Sequence, residues 1–454
     1  KGQIPDSVRI LAIDEVTVLG RQNRAVTEME QTTAKKNKYE IDMCNGTIMD
    51  KLISFSLPLM LSGILQLMFN AVDIIVVGRF SGSQALAAVG STSALINVFT
   101  NLFIGISLGA NVLTARFYAA GREKEVSETV HTAITLALVS GIVMALVGLV
   151  FSKGALALMG TPDDVIGLSA LYMRIYFLGM PFFMLYNYGA AILRAVGDTK
   201  RPLLFLMIAG VINACLNMVL VIVFKLGVAG VAIATVISQM ISCVLVLRCL
   251  CRSESSYRLR FSELGMKGYY LKQIFSVGVP AGIQSTVINF SNVLLQSSVN
   301  SFGSTAMAGY TAANNLLGFL YVSVNSITQA CMSFTSQNYG VGKLKRMDRV
   351  LADCMILSVV VAVVLGCICY GFGPEILQIY TEDAEVIACG MEILAYTTIT
   401  YFLCGWMDLF PGALRGMGYS AVPMVLSVIG TVGTRVVWIF GIFPYHRSLA
   451  ILFI

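Results

Sequence analysis

Charged residues are scarce in this chain of 454 residues. Asp, Glu, Lys and Arg together make up 12% of the sequence, whereas hydrophobic residues make up 57%. A soluble globular protein contains roughly 25% charged residues, and a soluble fold of this length could not bury so much apolar surface. The composition therefore excludes a soluble enzyme, a disordered scaffold and a disulfide-rich secreted protein, and it indicates a protein embedded in a lipid bilayer.

Residues and motifs on which many enzymes and channels depend are also missing. The sequence has two histidines, and its eleven cysteines form no CxxC pair, which argues against a His-based metal centre and a redox motif. It has no GxxxxGKS or GxxxxGKT loop for ATP and no TVGYG-like filter of the potassium-channel type. We therefore predict no enzymatic activity, no catalytic residues, no cofactor, and no metal other than a coupling ion.

Apolar runs of about 20 residues, the length that crosses a bilayer as a helix, recur along the chain. The runs lie at about 54–78, 90–118, 129–152, 167–193, 203–224, 228–250, 273–301, 311–339, 351–373, 387–414 and 422–443. A twelfth apolar run begins at Leu449, so we expect the chain to be truncated within its twelfth helix.

The two halves of the sequence resemble each other. A shift of 221 residues superposes glycines, an arginine and a proline at equivalent places along the spans, namely Gly82 on Gly303, Gly121 on Gly342, Arg194 on Arg415, Gly197 on Gly418 and Pro202 on Pro423. Each half then has six spans, and because six is even, both halves have the same orientation. This duplication is typical of a secondary transporter with a cavity between two lobes.

The spans and the repeat predict an all-α integral membrane protein of two parallel six-helix repeats, with eleven of twelve helices complete. We predict a polar N-terminal tail over 1–48 that is largely disordered, an N-lobe over 49–250, a basic linker over 251–272 and a C-lobe over 273–454.

Lysine and arginine residues indicate the orientation in the membrane. With the N-terminus in the cytoplasm, inner loops and helix ends hold seventeen of them and outer loops hold four, as the positive-inside rule requires. We expect a multi-pass protein of the bacterial cytoplasmic membrane. The net charge of +6 then reflects contact with the inner leaflet, so we predict no nucleic-acid partner.

The first span carries a polar stripe. Ser62, Gln66, Asn70 and Asp73 are spaced by 4, 4 and 3 residues, which places them within about 80° of arc on a helix. Such a stripe cannot face lipid, so it must line a cavity or form a hydrogen-bonded seam with other helices.

Three further residues are predicted to lie at the depth of Asp73. Asn217, Thr235 and Arg174 fall, with Asp73, roughly 7–11 Å below the outer surface, from the rise per residue. Asp73, Asn217 and Thr235 could form an oxygen-rich pocket for Na⁺. Asp73 alone could carry a proton, because burial favours a neutral carboxyl group. A buried ion pair between Asp73 and Arg174 is the structural alternative.

The second half lacks this acid, because position 295, opposite Asp73, is Leu. Any coupling ion should therefore bind in the first lobe, at a site of Asp73, Asn217, Thr235 and Asn70. We assign the other intramembrane polar residues to a substrate cavity: Gln66, Asn187, Asn213, Arg174, Asn292, Asn289, Asp408 and Arg435. Within this set Asp408 and Arg435 could form an ion pair.

Pro181 and Pro411 permit kinks in the fourth and tenth spans.

Several segments resemble the MATE (multidrug and toxic compound extrusion) family, in the branch that contains DinF-like and related bacterial proteins. The segments are Pro58, Phe69–Asp73, Gly78, Ala190–Lys200 and its repeat Gly412–Gly418. The resemblance implies a V-shaped pair of six-helix lobes that couples drug export to inward flow of Na⁺ or H⁺.

The resemblance also implies roles for single residues. Asp73 resembles the first-helix acid of the family's N-lobe ion site, and Asn217 and Thr235 resemble its partners on the fifth and sixth helices. Pro58 resembles the proline at which the first helix bends. Val221 stands where a second acid is common, which favours H⁺ over Na⁺.

These observations predict a secondary active exporter of amphipathic, often cationic organic compounds, working by antiport with H⁺ or Na⁺ and functional as a monomer. The alternative is a flippase of a lipid-linked precursor, which would have a more basic central cavity.

Overall fold

The computed structural model describes residues 39–378 and 383–445, and within these ranges the secondary structure is helical without strands. The helices of the first half are α1 (Met49–Phe80), α2 (Ser83–Ala119), α3 (Glu123–Leu158), α4 (Asp163–Leu178), α5 (Met180–Ala195), α6 (Lys200–Asn217) and α7 (Gly227–Cys251). A π-helical segment, Met218–Val223, extends α6.

The second half repeats this order. Its helices are α8 (Gly268–Asn300), α9 (Ser304–Gly340), α10 (Leu344–Gly371), α11 (Gly373–Gln378), α12 (Ala384–Gly416), α13 (Ala421–Ser427) and α14 (Thr434–Val437), with π-helical segments at Val428–Gly433 and Trp438–Ile442. The predicted twelfth helix, after Leu449, lies outside the described residues.

Seven helical segments of the described ranges are long and apolar enough to cross a membrane, and two bent pairs of helices raise this number to nine. The two other predicted spans correspond to α8 and α9, which are long helices with more polar residues. The all-α membrane fold predicted from the sequence is confirmed.

The duplication is visible in the backbone between the helices. Glycines with positive φ lie at three equivalent pairs of positions: Gly82 and Gly303, Gly121 and Gly342, and Gly197 and Gly418. At Gly82 (φ 87°, ψ 174°) and Gly303 (φ 100°, ψ 179°), the backbone lies in a region that only glycine adopts readily. The same chain reversal therefore begins the second helix of each half.

Glycines also bring the two halves together where α2 of the first half packs on α8 of the second. A Cβ atom at Gly105 would lie 2.3 Å from Cα of Gly282, and one at Gly109 would lie 2.2 Å from the carbonyl oxygen of Ile274. Gly278 meets Ile106 in the same way, at 2.4 Å. The spacing of four residues in each helix gives paired GxxxG contacts, which permit the close approach of membrane helices.

Two spans are bent, for different reasons. The span of α4 and α5 bends by 47°, and Pro181 lies in the first turn of α5. The span of α12 bends by 51° between Thr398 and Thr400, about three turns before Pro411, so the kink does not lie where that proline predicts it. The hydroxyl groups of Thr398 and Thr400, on either side of this bend, donate to carbonyls four residues earlier in the same helix, a contact that often accompanies helix bending. By contrast, α1 is continuous through Pro58.

The linker between the halves packs against α3 rather than running freely. The ring of His131 is buried, and its Nε2 accepts a hydrogen bond of 3.0 Å from the backbone N–H of Arg260. The backbone N–H of Lys267 donates to Thr132 at 3.4 Å. Because α8 begins at Gly268, the last five residues of the predicted linker 251–272 are helical.

The last residues of the predicted tail 1–48 pack against the bundle, whereas the expectation of disorder for the rest of the tail stays a prediction. Residues 1–38 lie outside the described ranges, but Met43 and Ile48 are buried and pack in one apolar cluster with Leu52, Phe55 and Phe334. The high polar content of the tail obscured these two apolar anchors.

Replacing Gly109 with Ala should lower the free energy of unfolding by about 1–3 kcal/mol, because the added methyl group meets the backbone of α8. The control is Gly154→Ala on α3, where a Cβ meets no atom within 4 Å, and where Ala should stabilise the helix by roughly 0.5–1 kcal/mol. Thermal unfolding of the detergent-solubilised variants measures both effects. Equal shifts would contradict the close α2–α8 packing.

Candidate functional site

The carboxylate of Asp73 lies at the meeting point of α1, α6 and α7. The side-chain amide of Asn217 donates a hydrogen bond to Oδ1 of Asp73, and the hydroxyl of Thr235, which also donates to the carbonyl of Val231 at 3.0 Å, donates to Oδ2 at 3.5 Å. Asn217 also donates to Oδ1 of Asn213 at 3.2 Å, and Asn213 donates to Thr235 at 3.5 Å. These four side chains, the Asp73 cluster, form one hydrogen-bonded network across three helices.

The local structure explains why these helices approach one another. Asn213 and Asn217 are four residues apart and therefore share one face of α6, and both are buried. One turn earlier, a Cβ at Gly210 would lie 1.8 Å from the ring of Phe69, so glycine admits this aromatic ring of α1. The π-helical segment follows directly after Asn217, and such segments are frequent at functional sites.

The Asp73 cluster contains an unused acceptor. The Oδ1 atom of Asn217 is buried and has no hydrogen-bond partner among the described residues, although its amide nitrogen makes two hydrogen bonds. Leaving a buried acceptor unpaired costs free energy. The Oδ1 atom of Asn217 and the two carboxylate oxygens of Asp73 could together bind a small cation. The carboxylate by itself could instead take up a proton.

Two tyrosines near this cluster were not identified from the sequence. Tyr172 and Tyr176 of α4 lie near Asp73, and their rings are stacked with centroids 6.1 Å apart. Their spacing of four residues places them on one face of α4. That spacing was the available signal, but it is equally typical of aromatic residues that pack in a core.

Arg174 does not pair with Asp73. It is two residues from both Tyr172 and Tyr176, which places it on the other side of α4, where it is exposed in line with Leu171 and Leu178. The depth estimated from the sequence took no account of rotation about the helix axis. The alternative of an ion pair with Asp73 is therefore not observed, and the expectation that Arg174 lies beside the cluster is corrected.

In the second half, Arg435 binds neutral oxygens instead of Asp408. Its Nη1 donates to Oδ1 of Asn292 at 2.6 Å and to Oγ of Ser291 at 3.2 Å. Asp408 interacts electrostatically with Arg415, seven residues later on the same helix. The sequence left open an ion pair between Asp408 and Arg435. The structure instead joins Arg435 of α14 to Ser291 and Asn292 of α8 by hydrogen bonds.

The other predicted residues make local contacts or are exposed. Asn187 and Asn289 donate to carbonyls four residues earlier in their own helices, at 2.8 and 2.9 Å. Gln66, Asn70, Asn289 and Asn292 are exposed. The structure therefore brings Asp73, Asn213, Asn217 and Thr235 together and leaves Asn70 outside this network, although Asn70 is on the same helix as Asp73.

Replacing Asn217 with Leu should lower the free energy of unfolding by about 1–3 kcal/mol, because it removes both donors and leaves Asp73 with one long hydrogen bond. The matched control is Asn187→Leu, which loses only a bond within its own helix and should change stability by less than about 1 kcal/mol. Thermal unfolding in detergent distinguishes the two variants. Similar losses in both would contradict the network.

Comparisons with known proteins agree with the fold. The MatE family model matches residues 58–219 and 280–440, one segment in each half. A probable multidrug resistance protein, YoeA, of Bacillus subtilis (strain 168) is 32% identical over 402 residues, which cover 87% of this chain and 86% of the relative. A probable multidrug resistance protein, NorM, of Thermotoga maritima is 25% identical over 411 residues, with 88% and 87% covered.

The fold is also similar to solved structures. One is described as the outward-facing conformation of a multidrug resistance MATE family transporter of the MOP superfamily, with a TM-score of 0.86, 20% identity, and coverage of 92% of this chain and 93% of that chain. Since the family model matches most of the chain and YoeA is similar over nearly all of it, the chain belongs to the MATE family, whose members are membrane transporters and not enzymes.

Proposed function

We propose that this protein exports amphipathic, often cationic organic compounds from the cell by antiport, with a proton as the coupling ion and Asp73 as its carrier. The names of its relatives, which include multidrug resistance proteins of Bacillus subtilis and Thermotoga maritima, support this substrate class. The Asp73 cluster is the observation that carries the coupling part of the proposal.

A single carboxylate inside a bundle suits reversible protonation. The uncharged donors Asn217 and Thr235 hold the carboxylate in place by hydrogen bonds alone. A bound arginine would instead stabilise the ionised carboxylate and oppose its protonation. Val221 follows Asn217 by four residues and supplies no second acid, so a proton is favoured over Na⁺. The unpartnered Oδ1 of Asn217 is the feature that would favour Na⁺.

The exposed amides offer surfaces for organic substrates. Asn70 on α1 and Asn289 on α8 are exposed, and these are the first helices of the two halves. Amide groups on these two helices would bind cationic or hydrogen-bonding substrates between the lobes. In largely apolar binding sites, a few polar groups commonly orient the ligand in this way. We also propose that the protein functions as a monomer.

The proposed orientation places the N-terminus and the linker in the cytoplasm of a bacterial cell. It is supported by the excess of lysine and arginine in the loops on that side. In this orientation the Asp73 cluster lies toward the outer surface, from which protons enter.

Replacing Asp73 with Asn should abolish ethidium efflux driven by an imposed pH gradient, because the amide cannot take up a proton. Efflux from vesicles, at matched amounts of protein, should fall to the level of vesicles without it. The control Asp164→Asn removes an exposed carboxylate at the start of α4 and should leave efflux unchanged. Full efflux by the Asp73 variant would contradict the proposed coupling residue.

The choice of ion is tested in the same vesicles with an imposed Na⁺ gradient at equal pH on both sides. We expect the unaltered protein to respond to the pH gradient alone. A response to Na⁺ alone would assign the cluster to Na⁺, and no dye efflux under either gradient would favour the flippase of a lipid-linked precursor.

A further inference from the structure

The segment that precedes α1, residues 41–48, is called here the N-terminal strap. It has no regular secondary structure up to the start of α1, so its backbone groups need partners other than their own neighbours. Met43 is fully buried in an apolar cluster that joins Leu52 and Phe55 of α1 to Phe334 and Leu409 of the second half. A strap that leads into the first half is thus anchored in the second.

Three side chains of the second half bind the carbonyl groups of the strap. Asn338, near the end of α9, donates to the carbonyl of Met43 at 3.1 Å. Lys343 donates to the carbonyl of Cys44 at 3.1 Å and to Oδ1 of Asn45 at 2.8 Å. Arg346, on α10, donates to the carbonyls of Met43, Asn45 and Gly46 at 3.3, 3.1 and 2.9 Å. Two of the three donors are cations, so these bonds are charge-assisted.

The other end of the strap contacts the first half. The backbone N–H of Ile41 donates to the carbonyl of Gly197 at 3.4 Å. Gly197 has a φ of +97°, and a Cβ there would lie 2.6 Å from the carbonyl oxygen of Ile41, so glycine is required for this contact. The turn is held by Asp198, a fully buried carboxylate that is paired with Arg201.

The strap covers an end of the bundle where the halves touch directly. Gln337 donates to the carbonyl of Ala195 at 2.7 Å, and Ser336 donates to the carbonyl of Val112 at 2.6 Å. The guanidinium of Arg116 lies 4.9 Å from the ring centroid of Tyr339. Any movement that separates the halves at this end must therefore break these contacts and release the strap.

We propose that the N-terminal strap is a clasp that holds the two halves together at this end and thereby determines how often the end opens. The inference rests on the proposed function only in that transport requires the two ends to open in turn. It concerns residues outside the Asp73 cluster and is tested without measuring transport.

The test compares two double variants of the full chain that remove equal charge. Lys343→Gln with Arg346→Gln removes the two cationic donors of the second half and leaves Asn338 in place, whereas Lys345→Gln with Arg349→Gln removes two exposed cations of the same region. Hydrogen–deuterium exchange with mass spectrometry should show about fivefold faster exchange at 41–48, 108–116 and 333–340 in the first variant, as expected for loss of charge-assisted hydrogen bonds at a partly exposed site. The second variant should match the unaltered protein.

Faster exchange at 41–48 alone, or equal effects of the two double variants, would overturn the proposal. A second variant, Ile41→Pro, removes the backbone N–H that donates to Gly197. It leaves the hydrogen bonds from Asn338, Lys343 and Arg346 to the strap intact. It should speed exchange at 108–116 and at 195–199, and unchanged exchange there would also overturn the proposal. Because dye efflux is not the readout, failure of the clasp and failure of the proposed antiport are distinguishable.

Discussion

The hydrogen bonds that hold the carboxylate of Asp73 are the interaction on which the arrangement of the first half depends. An acidic group within an apolar bundle is costly unless polar partners surround it, and here the partners come from two other helices, through Asn217 and Thr235. Satisfying one carboxylate therefore fixes how α1, α6 and α7 pack. Because those partners are uncharged, no cation of the Asp73 cluster pairs with the carboxylate, and this is the feature on which the proposed proton coupling depends.

The two halves share a backbone plan but differ in their polar chemistry. Equivalent glycines begin or end the same helices in both halves, yet the position of Asp73 is taken by Leu295 in the second half, and the polar link there joins Arg435 to Asn292. A duplicated scaffold can thus carry an acidic site in one half and a basic site in the other. The proposed ion coupling is accordingly assigned to the first half.

Small residues and local hydrogen bonds, rather than large apolar side chains, decide how close the helices come and where they bend. Gly105 and Gly109 let α2 meet the backbone of α8, since lipid-exposed helices gain little from burying apolar surface against each other. α12 bends between Thr398 and Thr400, whose hydroxyls donate to carbonyls of the same helix, and not at Pro411. The N-terminal strap also depends on hydrogen bonds, since its carbonyl groups accept from Lys51, Asn338, Lys343 and Arg346.

The sequence by itself determined the membrane class, the number and limits of most helices, the duplication and the grouping of Asp73, Asn217 and Thr235, because these follow from composition, helical period and depth along each helix. Only the tertiary structure decided rotation about each helix axis, which separates Arg174 from Asp73 and brings Tyr172 and Tyr176 toward it. It also decided the pairing of Arg435 and the burial of Met43. Hydropathy and spacing give depth along one helix, whereas the partner of a side chain depends on which helix lies opposite, and that is set by packing over the whole bundle.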